Sequence, residues 1–355
     1  ARLGGDEFVV MLQDLSGDAL IAASQAEVVS EKILHQCGQP YQLGGAMHHS
    51  TTSIGIALFG KNSEGIDEIM KRADLAMYQA KASGRNSLRF YDPDMQAAIM
   101  LRVALEADLR EAIGKNEFQL YYQTQVDADG CVTGVEALLR WQHPERGFVS
   151  PLDFIPLAEE TGQILSVGHW VMENACSQLS AWAKRPEMDR LTIAVNVSAR
   201  QFHHSEFVRQ VLDVLEQTGA NPQRLKLELT ESLLVLDIDD VIEKMSALRA
   251  AGVSFALDDF GTGYSSLSYL KRLPLDQLKI DQSFVRDILT DANDAAIAKM
   301  IVSLAEAMGL TVIAEGVETE AQRGFLARQG CRAYQGYLFS HPLPIDRFEA
   351  FLRPD

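Results

Sequence analysis

Seven side chains able to do acid, base or metal chemistry recur along the chain, each at or near the end of a short apolar run. Glu136 closes VTGVE, Asn196 closes LTIAVN and Glu228 lies in LKLEL; Asp258 and Asp259 close VSFALDD, Lys279 lies in QLKI and Glu315 closes LTVIAE. β-Branched and aliphatic runs stopped by a polar residue read as buried strands reaching their C-termini. A parallel barrel carries all its strand C-termini on one face, so these residues would converge into a single acidic site. Five carboxylates against one ammonium leave a local charge of about −4, and like charges about 4 Å apart repel by roughly 4 kcal/mol at an effective dielectric near 20. Such a cluster has to take up protons or cations. Two divalent ions would balance it, and an all-oxygen donor set in which Asn196 supplies a neutral ligand suits Mg²⁺ or Mn²⁺ rather than zinc. Adjacent Asp258 and Asp259 could each reach a different ion, the arrangement that aligns water for in-line attack on phosphorus. Lys279 would then position or deprotonate that water.

The elements that must carry these residues follow from the alternation of patterns. After the strand-like runs EFQLYYQTQV and CVTGVEALLRW, which flank the turn Asp129-Gly130 and read as an antiparallel hairpin, strands and helices alternate at roughly 20 to 40 residues. Helical periodicity predicts helices over 152–160, 168–183, 207–217, 238–250, 292–308 and 320–328. The expectation is a (β/α)8 barrel with irregular opening strands. At 355 residues the chain has room for a barrel of about 250 residues plus a smaller unit of about 100.

Composition narrows the function. The chain is 47% hydrophobic and 23% charged, as in an ordinary globular protein, with no apolar stretch long enough to span a bilayer and no leader pattern, so a cytoplasmic location without membrane contact is expected. A formal charge of −17 repels polyanions and argues against long nucleic acid as a partner. A small phosphate ligand would be drawn by bound metal and by local cations such as Arg140 and Lys279. Cys37, Cys131, Cys176 and Cys331 are widely spaced, with no Cys-x-x-Cys pair, so neither a zinc site nor a disulfide framework is expected.

The first 91 residues read as part of a separate α/β unit. GGDEFVVML predicts a turn followed by a buried strand with nothing before it to pair against, so a preceding segment is expected. A helix over 20–36, a strand over 53–58 and a helix over 66–82 follow. Asp92 and Pro93 suit the start of a linker helix spanning 92–114, with Gly114 ending it. Leu101, Leu105 and Leu109 form its apolar stripe, either for packing against neighbouring domains or for passing a signal between them.

Two family resemblances arise from these residues. Arg2 to Phe8, then SIGIA, then ADLAMYQAK and Gly84-Arg85-Asn86 resemble the C-terminal half of a GGDEF diguanylate cyclase domain, whose motif is here Gly4, Gly5, Asp6, Glu7 and Phe8. The resemblance implies metal binding and catalysis for Asp6 and Glu7 and proximity to the triphosphate of GTP for Lys81 and Arg85. The family's N-terminal half, with further metal and guanine contacts, has no counterpart here, so cyclase activity is not expected of this chain. From about residue 117 to 352 the strings EALLR, RWQHPERGFVSPLDFIPLAEETG, NVSARQF, ELTES, DDFGTGYSSLSYLKRLPLDQLKID, AEGVET and YQGYLFSHPLP resemble an EAL domain.

This second resemblance implies a modified TIM (β/α)8 barrel with one antiparallel strand, over 115–355, that hydrolyses cyclic di-GMP to linear pGpG with two Mg²⁺ or Mn²⁺ ions. It implies metal ligation by Glu136, Asn196, Glu228, Asp258, Asp259 and Glu315, with Lys279 as the catalytic lysine. Leu138 and Arg140 match the substrate-binding pattern begun by Glu136, Arg140 facing a phosphate, and Glu318 and Gln335 match residues lining the site. The stretch 259–267 resembles a mobile loop at the metal site and dimer contact, held by Glu231, and implies a homodimer. Thr124 stands where the family usually has proline. The alternatives are a non-catalytic cyclic di-GMP receptor, which typically lacks some metal ligands, and a bifunctional cyclase and phosphodiesterase in a longer parent. Such a parent could be membrane-anchored through upstream segments and could use GTP to tune hydrolysis.

Overall fold

The computed structural model describes residues 1–43, 46–48, 50–60, 65–231, 233, 238–261 and 267–352. It divides into two compact units, residues 1–107 and 108–355.

In the first unit the strand Ile54–Ile56 runs parallel to Leu88–Phe90, with helices Ala19–Cys37 and Ile66–Ala82 against them. Asp18 starts the first helix by accepting the N–H groups of Leu20 and Ile21 at 2.9 and 3.0 Å. Ala23, Ala26, Ile56 and Phe90 make its small core. Gly55 is required by close packing: a Cβ there would lie 2.0 Å from the Ala73 carbonyl oxygen. The opening segment corrects one expectation. Arg2–Gly4 and Glu7–Phe8 form only a short hairpin, and Phe8, Val10 and Met11 are exposed rather than buried, because no described strand pairs beyond Arg2–Gly4 to cover them. The helix Pro93–Ala112 passes through the division between the units; Leu105 and Leu109 are buried, while Leu101 is exposed.

The second unit is a closed eight-stranded barrel. Its strands in chain order are β1 (Phe118–Asp127), β2 (Val132–His143), β3 (Thr192–Val197), β4 (Leu225–Thr230), β5 (Ser254–Phe260), β6 (Gln277–Ile280), β7 (Thr311–Ala314) and β8 (Ala333–Gln335). β2 through β8 run parallel, each beside the next, and β1 closes the ring antiparallel to both β2 and β8. The short strands Gly147–Val149 and Leu343–Pro344 pair antiparallel with β2 and β1 respectively.

Period-two alternation sorts the side chains. Val135, Ile193, Val195, Leu227, Leu229, Phe255, Leu257, Leu278 and Ile280 join the main apolar core with the surrounding helices. Each such side chain contributes about 1.5–3 kcal/mol on burial. The intervening positions, Glu136, Asn196, Glu228, Asp258 and Lys279, therefore face the barrel interior.

Helices follow the sequence pattern closely, with one informative departure. The helix expected from 168 begins a turn earlier, as Ile164–Trp182, with Gly168 inside it. A Cβ at Gly168 would lie 1.6 Å from Gln201 Nε2, so this glycine admits a close neighbour instead of starting the helix. Gln201 in turn completes a capping box with Ser198. Thr124, at the usual proline position, keeps its N–H: it donates to Ser340 Oγ at 3.3 Å, and the two hydroxyls meet at 2.8 Å. That pair ties the closing strand to the segment after β8.

Candidate active site

Parallel register levels the polar side chains of successive strands. Ala194 lies beside Glu136, Asn196 beside Glu228 and Thr230 beside Asp258, so each strand delivers its functional residue to one end of the barrel. The expectation that each residue ends its strand is corrected for Glu136. It lies in the first half of β2, which continues to His143 because both β1 and Gly147–Val149 keep pairing with it. Glu315 follows β7 directly.

Lys279 is the hub. Its ammonium, 1% exposed, lies 2.5 Å from Glu228, 2.6 Å from Glu315, 3.2 Å from Asp258 and 3.7 Å from Glu136. Burial alone would lower its pKa, but Glu136, Glu228, Glu315 and Asp258 outweigh it and hold the proton well above the usual lysine range. In this arrangement Lys279 is the counter-ion of the cluster. The carboxylates are nonetheless under-compensated. Burial, opposed by Lys279 and reinforced by Glu136 and Asp258, holds Glu228 above the usual carboxylate range. Glu315 is raised in the same way, and Asp259 is pushed up to about 6, first by burial and then by Asp258 and Asp281.

The donor set fits a divalent cation. Carboxylate oxygens of Asp258, Asp259 and Glu315 come within 4.8 Å of one another. Glu228 Oε1 is buried without a hydrogen-bond partner among the described residues, a costly state that a cation would relieve. Asn196 donates its amide N–H to Glu136 Oε1 at 2.5 Å, which leaves its carbonyl oxygen to meet a cation. Asp259 adopts a left-handed backbone at φ +53°, and its N–H is bound by Asp258 Oδ1 at 2.9 Å. That turn aims two consecutive carboxylates from one strand end.

Other expected residues are placed as follows. Leu138 and Arg140 share the β2 face of Glu136 by alternation; the Arg140 guanidinium, half-buried, lies 5.7 Å from the Tyr121 ring centre and donates to the Leu139 carbonyl at 2.9 Å. Gln335 is buried and donates to Glu136 Oε2 at 2.5 Å, whereas Glu318 is exposed. Glu231 accepts the Gly261 N–H at 3.3 Å where the chain leaves β5, and residues 262–266 of the expected loop, Gly263 among them, lie outside the described residues. In the first unit Gly5 turns the hairpin at φ +53°, and Asp6, Glu7, Lys81 and Arg85 are exposed, with no described hydrogen bond or ion pair joining the two pairs.

Comparison with known families decides what this barrel is: residues 106–342 match the EAL domain. The chain belongs to the EAL domain family. Ahead of its EAL barrel, residues 1–87 match the diguanylate cyclase GGDEF domain. Over 99% of its length the chain is 43% identical to the bifunctional diguanylate cyclase/cyclic di-GMP phosphodiesterase MucR of Pseudomonas aeruginosa, covering 50% of that protein. It is 37% identical to the cyclic di-GMP phosphodiesterase PdeR of Escherichia coli, covering 52% of it. The chain thus spans about half the length of the curated relatives it matches. Among solved structures, the PaMucR phosphodiesterase in complex with c-di-GMP superposes with a TM-score of 0.67 at 45% identity, over 69% of this chain and 99% of that one.

Three EAL-barrel residues were not singled out in the sequence. Gln123 and Gln125 of β1 are buried beside Gln335, and Asp281 caps the helix Gln282–Arg286 while raising Asp259. Asp281 follows Lys279 by two residues in LKID, which was the one available signal. Among the described residues no helix is long and apolar enough to cross a membrane.

Proposed function

We propose that this chain hydrolyses cyclic di-GMP to linear pGpG at the acidic face of the EAL barrel, with two Mg²⁺ or Mn²⁺ ions held by Glu136, Asn196, Glu228, Asp258, Asp259 and Glu315. The observation that carries the proposal is the gathering of Glu136, Glu228, Asp258 and Glu315 around one buried lysine, with Asn196 bonded to Glu136, Asp259 within reach of Asp258 and Glu315, and a Glu228 oxygen that has no hydrogen-bond partner among the described residues. The match of residues 106–342 to the EAL domain, and relatives that bear the name cyclic di-GMP phosphodiesterase, support the same reading. Bound divalent ions would supply Lewis-acid polarisation of a phosphodiester and a water of lowered pKa.

The chain's own residues divide the remaining work. Arg140, braced over Tyr121, offers a planar cation to a phosphate oxygen, and Leu138 lies beside it on the same strand face. Lys279 keeps its proton while the carboxylates surround it, so it orients water or a phosphate oxygen as a hydrogen-bond donor; cations arriving among those carboxylates would ease loss of that proton. Glu231 fixes the Gly261 end of the loop after β5. Glu318 is exposed, and we assign it a contact with nucleotide on the family resemblance alone.

In domain terms we read 1–91 as the C-terminal part of a GGDEF domain, 92–114 as a linker helix and 115–355 as the phosphodiesterase, with GTP as the ligand of the complete GGDEF domain and a homodimer formed through the barrel. The test is chromatographic: purified protein with Mg²⁺ should convert cyclic di-GMP to pGpG, and Glu228→Gln should abolish conversion while leaving the protein folded. Wild-type protein that retains cyclic di-GMP intact would assign the barrel as a receptor instead.

A further inference from the structure

β1 brings a second glutamine to the site from below. Gln125 lies beside Gln335 in the antiparallel pairing of β1 with β8, is 4% exposed, and donates its amide N–H to Gln335 Oε1 at 3.0 Å. The Gln335 amide nitrogen is fully used: one N–H goes to Glu136 Oε2 and the other to Gln123 Oε1 at 3.2 Å. A primary amide buried at such a place has two orientations related by a half-turn, and only one offers N–H to Glu136. The other would set an amide oxygen against a carboxylate oxygen. Gln123, whose own amide N–H donates to the Ser340 carbonyl at 3.3 Å, turns its Oε1 toward the Gln335 nitrogen, and Gln125 supplies the matching donor on the Oε1 side; together they favour the productive orientation. With Asn196 on Glu136 Oε1 and Gln335 on Oε2, the carboxylate is fixed at both oxygens, and what it can still offer points into the cluster.

We propose that Gln125 is a positioning residue which, acting through Gln335, holds the Glu136 carboxylate in the orientation that receives a divalent ion. The inference rests on the metal-dependent reading above and extends it to a residue outside the acidic set. Outer partners that orient a metal ligand typically contribute about 10- to 100-fold in metal affinity when removed.

The test titrates Mn²⁺ calorimetrically into nucleotide-free wild-type protein, Gln125→Met, Gln125→Glu, Gln335→Met and the Gln125→Met/Gln335→Met double variant. The metal dependence of cyclic di-GMP turnover is measured in parallel. Gln125→Met should weaken Mn²⁺ binding about tenfold or more and raise the metal concentration for half-maximal turnover by the same factor, with kcat at saturating metal within about threefold. Gln125→Glu, similar in size but presenting acceptors toward Gln335 Oε1, should be at least as damaging, and it carries the comparison if Gln125→Met does not fold. The double variant should bind Mn²⁺ no more weakly than Gln335→Met alone. Variants that only lower the metal-free melting temperature while binding Mn²⁺ within twofold of wild type would overturn the proposal, as would additive losses in the double variant. Wild-type protein that binds no Mn²⁺ would fail the underlying metal reading instead.

Discussion

Lys279→Met removes the ammonium that touches four carboxylates of the acidic cluster while keeping an unbranched side chain of similar volume. At about 3 Å each carboxylate attracts the ammonium by roughly 5 kcal/mol at an effective dielectric near 20, a gross figure that desolvation largely offsets. The net cost of deleting one member of a buried charge cluster is about 3–5 kcal/mol. For a barrel of this size, at roughly 2–4 °C per kcal/mol, the metal-free melting temperature should fall by about 6–20 °C. Two secondary results follow from the same electrostatics. Saturating Mn²⁺ should recover more than half of the loss, since a divalent ion replaces the missing charge, and the deficit should shrink near pH 5, where the carboxylates take up protons instead. Differential scanning calorimetry in chelator and in Mn²⁺ reads all three. A chelated variant melting within about 2 °C of wild type, or a large loss that Mn²⁺ does not touch, would refute the assignment of Lys279 as the counter-ion.

Metal affinity should rise with pH. Burial and neighbouring carboxylates push Asp259 up to about 6 and Glu228 up to about 8, so a cation must displace both protons at low pH and one near neutrality, and log affinity should climb by about two per pH unit near pH 5 and about one near pH 7, as checked by Mn²⁺ titration. The sign for folding is opposite. Because Asp259 has a folded pKa above its ordinary value of 3.8, the metal-free protein should lose stability as pH rises from about 4 through 6, as read by denaturant midpoints. Cys37 and Cys131 are exposed while burial pushes Cys176 and Cys331 up to about 12, so an aromatic disulfide reagent should modify two thiols rapidly in the native state and the other two only on unfolding. Gly168→Ala should lower the melting temperature despite better helix propensity, because its Cβ displaces Gln201 from the Ser198 capping box; overpacking of about 1–3 kcal/mol outweighs a gain near 1 kcal/mol, and a rise in melting temperature would contradict the packing argument.

The barrel and its acidic face were legible because both are written in local order: strand-length apolar runs, each interrupted by a polar residue, and helical periodicity between them. What was not legible depends on closure. Gln125 and Gln335 lie 210 residues apart and meet only because β1 runs antiparallel into the gap between β2 and β8, a pairing that no local pattern encodes. Glu136 interrupts an apolar run and so resembles a strand end, yet Ala137-Leu138-Leu139 resume the run and pairing on both edges carries β2 to His143. Gly168 looked like a helix boundary because a missing side chain is read as a break, whereas here it makes room for Gln201. The exposure of Phe8, Val10 and Met11 shows the converse: an apolar run is buried only where other elements cover it.

The pair of divalent ions is the claim on which hydrolysis, the pH dependence of metal affinity and the recovery of Lys279→Met by Mn²⁺ all depend. Anomalous diffraction from crystals grown with Mn²⁺ and a non-hydrolysable cyclic di-GMP analogue measures it directly. The account predicts two manganese peaks among the oxygens of Glu136, Asn196, Glu228, Asp258, Asp259 and Glu315, with the analogue's phosphate beside them. A nucleotide bound in the barrel with no manganese at these residues would contradict it.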